Sequence, residues 1–258
     1  MLRMQTDDDF RKKDNSLPIQ AYLLQVAGFE WNEQTYDIVT KLEDDEWART
    51  VLYSTCGKSN GKFIGLNIGS SARHDAKRWP VENFYALASR LQKRHPKMQF
   101  LVLAGPDERL EYEKLYNLNM AEPIKNLHFI GWQQSMSQFI SLVNLMDALI
   151  TADTFGMHVG VALNKRIIAL HGPQPENDTY LYGRGIKINL RLKCSPCFAA
   201  HFDSCRNEQK LRCMHGIDIV AVEETMDKIL LMALLKQKAL IRNVQRVYHI
   251  KSVHNDKN

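Results

Sequence analysis

The chain has 258 residues, 45% of them hydrophobic, and its 34 Lys and Arg residues exceed its 29 Asp and Glu residues, giving a formal net charge of +5. This apolar content is enough for a sizeable core and argues against an intrinsically disordered protein. The small positive charge is compatible with phosphate-bearing ligands or an anionic membrane surface, but it selects neither.

The two ends of the chain bear on its location. Residues 1–16 are charged where a secretory signal needs an apolar core, and no run of about 20 apolar residues that would span a membrane occurs anywhere in the chain. The sequence therefore predicts a cytoplasmic protein, with peripheral association at the inner membrane as an alternative. That alternative depends on a predicted basic C-terminal helix and tail, residues 236–258, which either contacts acidic lipid or a partner or is an ordinary solvated surface.

Two kinds of pattern follow one another along the chain. Helical apolar spacing in LPIQAYLLQVAGFEW and DDEWARTVLYST predicts two helices, and we assign residues 1–60 to an N-terminal extension and an interdomain helical segment. From Lys62 onward, five apolar strands alternate with four helices: the strands are KFIGLNIG, MQFLVLAG, NLHFIGW, DALIT and RIIALHG. The alternation predicts an α/β domain over residues 61–235, a Rossmann-like parallel sheet with helices on both faces. An irregular stretch with most of the cysteines is expected after Gly172.

The first loop after a strand, GSSARHDAKRWP, combines hydroxyl groups with cations. Ligands of such sheets bind outside the carboxyl ends of the strands, so this loop faces the expected site. Ser70 and Ser71 can donate hydrogen bonds and Lys77 can act as a point charge, which suits a diphosphate; the alternative is a solvated loop that caps the next helix. The loop is neither G-x-G-x-x-G nor a Walker loop, which argues against a nicotinamide dinucleotide or a P-loop triphosphate site.

The second and third loops offer weaker candidates. Asp107 and Glu108 precede a helix, so they either complement the helix dipole or accept a hydrogen bond from a ribose hydroxyl. In the third loop, Ser135 most simply caps the next helix, and backbone atoms around Gln134 are a candidate contact to a base.

The fourth loop, TADTFGMHVG, concentrates polar groups at a strand-to-helix turn. Asp153 either caps a helix that begins at Thr154 or accepts a hydrogen bond from a sugar hydroxyl. In the second interpretation Thr154 donates its hydroxyl, and free amides of the first turn, around Gly156, face the ligand. His158 is either a core histidine or part of this site.

Four cysteines lie close together in a Cys-rich loop at residues 194–213. Cys194, Cys197, Cys205 and Cys213 have the spacing C-x2-C-x7-C-x7-C. Four thiolates suit a structural zinc ion that staples a loop without its own core. A reduced thiol cluster and disulfides are the alternatives.

Several ordered motifs resemble one enzyme family. The segments GLNIGSSARHDAKRWPVENFYALA, VLAGPDE, TADTFGMHVGVALNKRIIALHGPQPEN and CSPCF followed by RCM resemble glycosyltransferase family 9, the ADP-heptose:lipopolysaccharide heptosyltransferases, over about residues 17–229. The resemblance implies the C-terminal half of a GT-B enzyme. Such a half binds a nucleotide-diphospho-sugar, here ADP-heptose, for transfer to a lipopolysaccharide core or lipid A precursor. It also implies no cofactor for catalysis and no nucleic acid partner.

The same resemblance assigns roles to residues. Lys77 would contact the diphosphate, Ser70 and Ser71 would lie near the phosphates, and Asp153 with Thr154 would meet the sugar and the diphosphate. His158 matches the histidine of the family motif. Phe155 stands where the family usually has a glycine, with Gly156 next.

No position of this chain matches the general base of the family. The resemblance places that base in an N-terminal acceptor domain, so the catalytic residues are unknown and the acceptor domain is expected to be missing from the chain. Two alternatives stay open: a sugar-nucleotide epimerase of GT-B-like architecture, and a non-catalytic remnant or interaction module.

Overall fold

A six-stranded parallel sheet forms the centre of the molecule. The computed structural model describes residues 17–57, 59–199 and 201–232. The strands are β1 (Phe63–Asn67), β2 (Gln99–Leu103), β3 (Leu127–Phe129), β4 (Ala148–Ala152), β5 (Arg166–His171) and β6 (Gly185–Asn189). They are arranged in the order β3-β2-β1-β4-β5-β6, and every neighbouring pair is parallel. The predicted Rossmann-like α/β fold is confirmed.

The sixth strand corrects the prediction of five strands followed by an irregular stretch. β6 pairs with β5 along its whole length, from Gly185 opposite Ile167 to Asn189 opposite His171. All five of its residues are only half-buried, because the strand lies at the edge of the sheet. It therefore lacks the continuous apolar run by which the central strands are recognised in a sequence.

Helices precede, connect and follow the strands. They are α1 (Ile19–Val26), α2 (Leu42–Cys56), α3 (Val81–Arg94), α4 (Arg109–Ala121), α5 (Met136–Leu145), α6 (Phe155–Ala162) and the short α7 (Arg212–His215). A last helix covers residues 219–232, and the predicted basic segment 236–258 lies outside the described residues. The helices α3 to α6 are the four that the sequence predicts between strands. In the described part of the chain, no helix has both the length and the apolar composition needed to cross a bilayer.

Alternate residues of the central strands pack against two helical layers. Ile64 of β1 and Phe100 of β2 pack in a cluster with α3, α4 and the helix at 219–232. Leu101 and Leu103 of β2 point to the opposite face and pack with α2 and α5. This alternation is the period of two that an extended strand imposes on its side chains. Helices therefore cover both faces of the sheet, as predicted, and α2 belongs to this core although the sequence suggested an interdomain segment.

The strand order reverses between β1 and β4, which lie side by side at the centre of the sheet. The connections from these two strands leave toward opposite sides, so a crevice opens at their carboxyl ends. Open α/β sheets bind their ligands at such a point.

Candidate functional site

A cavity of about 620 Å³ opens at the carboxyl ends of β1 and β4. Its floor is tied together by Asn67, the last residue of β1, whose Nδ2 donates to Thr151 Oγ1 at 2.8 Å and to Thr154 Oγ1 at 3.0 Å. A Cβ atom on Gly156 would lie 2.7 Å from the same Asn67 nitrogen. Glycine is therefore required at this position so that the start of α6 can approach the end of β1.

The structure brings nearly all predicted site residues to this cavity. Nine of the ten predicted substrate-binding residues line it: Ser70, Ser71, Lys77, Glu108, Gln134, Asp153, Thr154, Gly156 and His158. The exception is Asp107, whose carboxylate accepts a hydrogen bond from the backbone of Ala72 at 2.9 Å and so fastens the first loop. Three residues that were not predicted from the sequence also line the cavity: Asn67, His74 and Phe139. Of these, Asn67 could have been predicted from the sequence, because it is a polar residue at the end of a buried strand.

Lys77 and Asp153 form a largely buried ion pair in the wall of the cavity. Lys77 Nζ lies 2.9 Å from Asp153 Oδ2 and also donates to the Asp153 carbonyl oxygen at 3.1 Å, and each side chain is 16% exposed. Burial alone would raise the pKa of Asp153, but the Lys77 ammonium holds it below the ordinary value. Asp153 is therefore ionised at neutral pH and poorly matched to the work of a general base, which needs a pKa near the working pH.

The start of α6 corrects one interpretation of Asp153. The helix begins at Phe155 and its N-cap is Thr154, so Asp153 does not cap it. The first amides of a helix have no partner within the helix, and they carry a partial positive charge. The first turn of α6 and the Lys77 ammonium therefore provide two kinds of positive group on one cavity wall.

Glu108 shapes the loop that follows β1. Its Oε1 accepts hydrogen bonds from the backbone amides of Ser70 at 3.2 Å and Ser71 at 2.9 Å, and its Oε2 accepts from Gly105 at 2.9 Å. A Cβ on Gly69 would lie 2.5 Å from the Glu108 carboxyl carbon, which explains the glycine. The carboxylate that the sequence offered as a ribose acceptor is thus engaged with backbone groups.

The two predicted serines differ in what they offer a ligand. The Ser70 hydroxyl donates to the carbonyl oxygen of His74 at 2.7 Å, so it fastens the loop internally. Ser71 is exposed at the cavity rim. Glu108 accepts from both of their backbone amides, so these two amides are not free to bind a phosphate.

His158 is placed between the cavity and the segment that precedes α2. Its Nδ1 lies 3.2 Å from the Tyr36 hydroxyl, and its Nε2 lies 4.0 Å from Asp153 Oδ1. The side chain is 41% exposed, so it is not the enclosed core histidine of the alternative interpretation. Partial burial lowers the pKa of His158 below the ordinary value despite the nearby Asp153 carboxylate, so the ring is neutral at pH 7.

Apolar side chains form another part of the cavity wall. Phe155 is 49% exposed and its ring lies 6.0 Å from that of Phe139, centroid to centroid. Ser135 caps α5 as predicted, accepting from Gln138 N at 3.2 Å, and Met136 beside it also lines the cavity. The cavity thus combines the Lys77 ammonium and the first turn of α6 with aromatic side chains. That combination suits a ligand with an anionic group and a flat or apolar ring.

The four cysteines of the predicted zinc site line a different cavity, of about 820 Å³, in the Cys-rich loop. None of the five cysteines, all of which lie in described parts of the chain, forms a disulfide. Within residues 17–57, 59–199 and 201–232, no group of three or more His, Cys, Asp or Glu side chains is arranged to hold a metal ion. Thiolates are ligands that zinc prefers, and the zinc site stays a prediction.

The chain is similar to known glycosyltransferases in both sequence and structure. The family model of glycosyltransferase family 9 (heptosyltransferase) matches residues 16–207. Among solved structures, the chain is similar to the Escherichia coli ADP-heptose lps heptosyltransferase II, with 20% sequence identity and a TM-score of 0.60. It is also similar to a glycosyl transferase family 9 protein from Veillonella parvula, with 21% identity and a TM-score of 0.61. A comparison with curated proteins gives no significant match.

Both structural matches cover 76% of this chain and 54% of the solved chain. The chain therefore spans about half the length of the solved structures it matches. At this level of identity the structures establish the fold alone, an α/β Rossmann-like parallel sheet. The family assignment comes from the family model, which covers well over half of the chain. This chain belongs to glycosyltransferase family 9, the heptosyltransferase family.

Proposed function

We propose that this chain binds a nucleotide-diphospho-sugar, with ADP-heptose as the donor, in the cavity between the ends of β1 and β4. The observation that carries the proposal is the Lys77–Asp153 pair beside the first turn of α6. The ammonium and the helix amides suit the two phosphates, and the wall formed by Phe155 and Phe139 suits the base or the sugar. Family membership and the name of the E. coli structure support an ADP-linked heptose.

In the proposed reaction, an acceptor hydroxyl attacks the anomeric carbon and the bond from that carbon to the diphosphate oxygen breaks. The departing ADP takes the bonding electrons, and its growing negative charge is stabilised by Lys77 and the amides of α6. A general base removes the proton of the acceptor hydroxyl. In this proposal the two positive groups of the protein stabilise the leaving group, and no cofactor takes part.

The acceptor in this proposal is a lipopolysaccharide core or lipid A precursor, which the protein binds at the inner membrane. The acceptor site and the general base are proposed to lie outside residues 17–232, in an acceptor-binding half. The low pKa of the ion-paired Asp153 supports this placement of the base. The matches cover only 54% of the solved chains, so these structures contain a further part that could correspond to such a half.

Calorimetric titration with ADP tests donor binding. We expect Lys77→Ala to weaken ADP binding by roughly 10- to 100-fold, because a charge-assisted contact to phosphate contributes about 1.5–3 kcal/mol. The matched control is Lys62→Ala. Lys62 pairs with Asp147 at 2.8 Å beside the opposite ends of the same two strands, β1 and β4, and this exposed pair should leave ADP affinity unchanged.

Two outcomes would contradict donor binding through Lys77. One is a folded wild-type protein that binds no ADP; the other is an equal loss of affinity in the two lysine variants. The titrations are run with EDTA and again with Mg²⁺, because binding through Lys77 and backbone amides should persist in EDTA.

A further inference from the structure

Tyr36, in the segment between α1 and α2, contacts a residue of the candidate site. Its hydroxyl lies 3.2 Å from His158 Nδ1, although the two residues are 122 positions apart in the chain. The Tyr36 ring packs edge-on against Tyr182 with a centroid distance of 6.3 Å, and it adjoins the buried cluster that contains Met157 and Val161 of α6. The ring is therefore held against the helix that carries His158.

The direction of the hydrogen bond between Tyr36 and His158 follows from the surrounding charges. Asp153 Oδ1 faces the other ring nitrogen, Nε2, at 4.0 Å. A lone pair on Nε2 would oppose the carboxylate, whereas an N–H there is attracted to it. Asp153, whose effect on the ring exceeds the opposing one of Lys77, therefore favours the tautomer with its proton on Nε2, in which Nδ1 is an acceptor for the Tyr36 hydroxyl.

Two further observations fit Tyr36 as the donor. Burial raises the pKa of Tyr36 to about 12, so the phenol keeps its proton at any working pH. The Gln20 amide of α1 lies beside the Tyr36 hydroxyl, and its buried polar atoms have no other hydrogen-bond partner among the described residues. Its N–H group is available to the lone pairs of the Tyr36 oxygen, which would leave the hydroxyl proton for His158.

We infer that Tyr36 is a positioning residue of the donor site, which fixes His158 in the tautomer that carries its proton on Nε2. The Nε2–H group then faces Asp153 and the cavity, where it can donate to an oxygen of a bound diphosphate or sugar. Asp153, at 4.0 Å, is beyond hydrogen-bond distance and only biases the ring toward this tautomer. Without Tyr36, part of the population would carry its proton on Nδ1 and present a lone pair to the cavity instead. The contact with the ligand rests on the proposed donor binding, whereas the tautomer does not.

The first experiment measures the tautomer directly in the full chain without ligand. Two-bond ¹H–¹⁵N correlations of histidine-labelled protein distinguish the two tautomers, and His158→Gln identifies the His158 signals among the 9 histidines. We expect the wild-type ring to be neutral with its proton on Nε2, and Tyr36→Phe to give a mixture. Tyr182→Phe is the matched control. It removes a hydroxyl from the same aromatic pair, one that donates to the Gln34 carbonyl at 3.1 Å and not to a histidine.

A wild-type proton on Nδ1 would overturn the inference, and so would a Tyr36→Phe spectrum with the wild-type pattern. An equal change in Tyr182→Phe would do the same, because it would show a general effect of the aromatic pair. Each spectrum is interpreted only for variants that unfold at the wild-type temperature within a few degrees, and phenylalanine keeps the ring packing that this requires.

The second experiment measures the consequence for a ligand, with ADP as the probe. Tyr36→Phe should weaken ADP binding roughly fivefold, the effect of one hydrogen bond, and Tyr182→Phe should not. In a His158→Gln background the glutamine amide needs no partner to present an N–H group. Tyr36→Phe should therefore have no further effect there, and an undiminished fivefold loss would contradict the inference. If the wild type binds no ADP, donor binding fails as a function, and the NMR result decides the tautomer by itself.

Discussion

Glu108 determines the shape of the loop that faces the phosphate side of the cavity. Its carboxylate is buried and accepts hydrogen bonds from the amides of Ser70, Ser71 and Gly105. Glutamine in its place would offer one acceptor oxygen and would turn an N–H₂ group toward backbone donors. Glu108→Gln is therefore expected to reduce the free energy of unfolding by about 2–4 kcal/mol, measured by urea denaturation.

Glu113→Gln is the matched control for that change. Glu113 forms an exposed pair with Arg109 at 2.8 Å within α4, and such a pair contributes less than about 0.5 kcal/mol. Equal stabilities of the two variants would show that the loop does not depend on Glu108.

His171, at the end of β5, is expected to make stability depend on pH. It is fully buried, and neither ring nitrogen has a hydrogen-bond partner within the described residues. Burial lowers the pKa of His171 to about 4, with Asp153 and Glu176 opposing the shift and Lys187 and Lys77 adding to it. The folded ring is thus neutral, whereas the unfolded ring takes up a proton near pH 6.5.

The sign of the effect follows from proton binding. Between about pH 6.5 and pH 4 the unfolded state binds more protons at His171, so stability falls as the pH falls. Wild-type protein should lose about 2 kcal/mol more than His171→Leu when urea denaturation is compared at pH 7.5 and pH 5.0. Parallel losses in the two proteins would contradict a buried neutral His171.

Helix α2 shows how an element can be predicted from the sequence while the residues that it packs against cannot. Its apolar spacing predicts a helix, but only the structure shows that Leu52 packs with Leu101 and Leu142 against the sheet. Leu52→Ala should cost about 2–4 kcal/mol of unfolding free energy, because it leaves a cavity in a close-packed core.

Leu42→Ala in the first turn of the same helix is the comparison, since Leu42 is 82% exposed and its change should cost less than about 0.5 kcal/mol. If Leu52→Ala is equally mild, α2 is not part of the close-packed core.

The central strands were predictable because each is a buried apolar run followed by a loop and an amphipathic helix. The edge strand β6 was not, because its residues are half-exposed and Lys187 interrupts its apolar character. The positions of the site residues were largely predictable for a topological reason. The carboxyl ends of parallel strands converge, so polar residues that follow different strands must meet.

The partners of those residues were not predictable. Glu108 binds a loop 38 positions earlier in the chain, and Tyr36 meets His158 across 122 positions. Such contacts depend on how elements pack and leave no local pattern in the sequence. For the same reason, the sequence suggested Glu108 as a ligand contact, whereas in the structure its carboxylate oxygens accept hydrogen bonds from backbone amides.

The sheet and its two helical layers have a different role from the crevice at the end of the sheet. The two helical layers and the six strands supply stability, and the reversal of strand order opens one crevice for the ligand. The Lys77–Asp153 pair and the start of α6 line that crevice, whereas the Cys-rich loop lines a separate cavity. Donor binding is thus expected to need the intact sheet but not the cysteines.

A crystal structure of the chain with ADP would show whether the crevice between β1 and β4 binds the diphosphate of a nucleotide sugar, as proposed. We predict density for the diphosphate within hydrogen-bond distance of Lys77 Nζ and the first amides of α6, with the adenosine against the wall formed by Phe155 and Phe139. Well-defined ADP density elsewhere on the chain, with this crevice unoccupied, would show that the crevice is not the donor site.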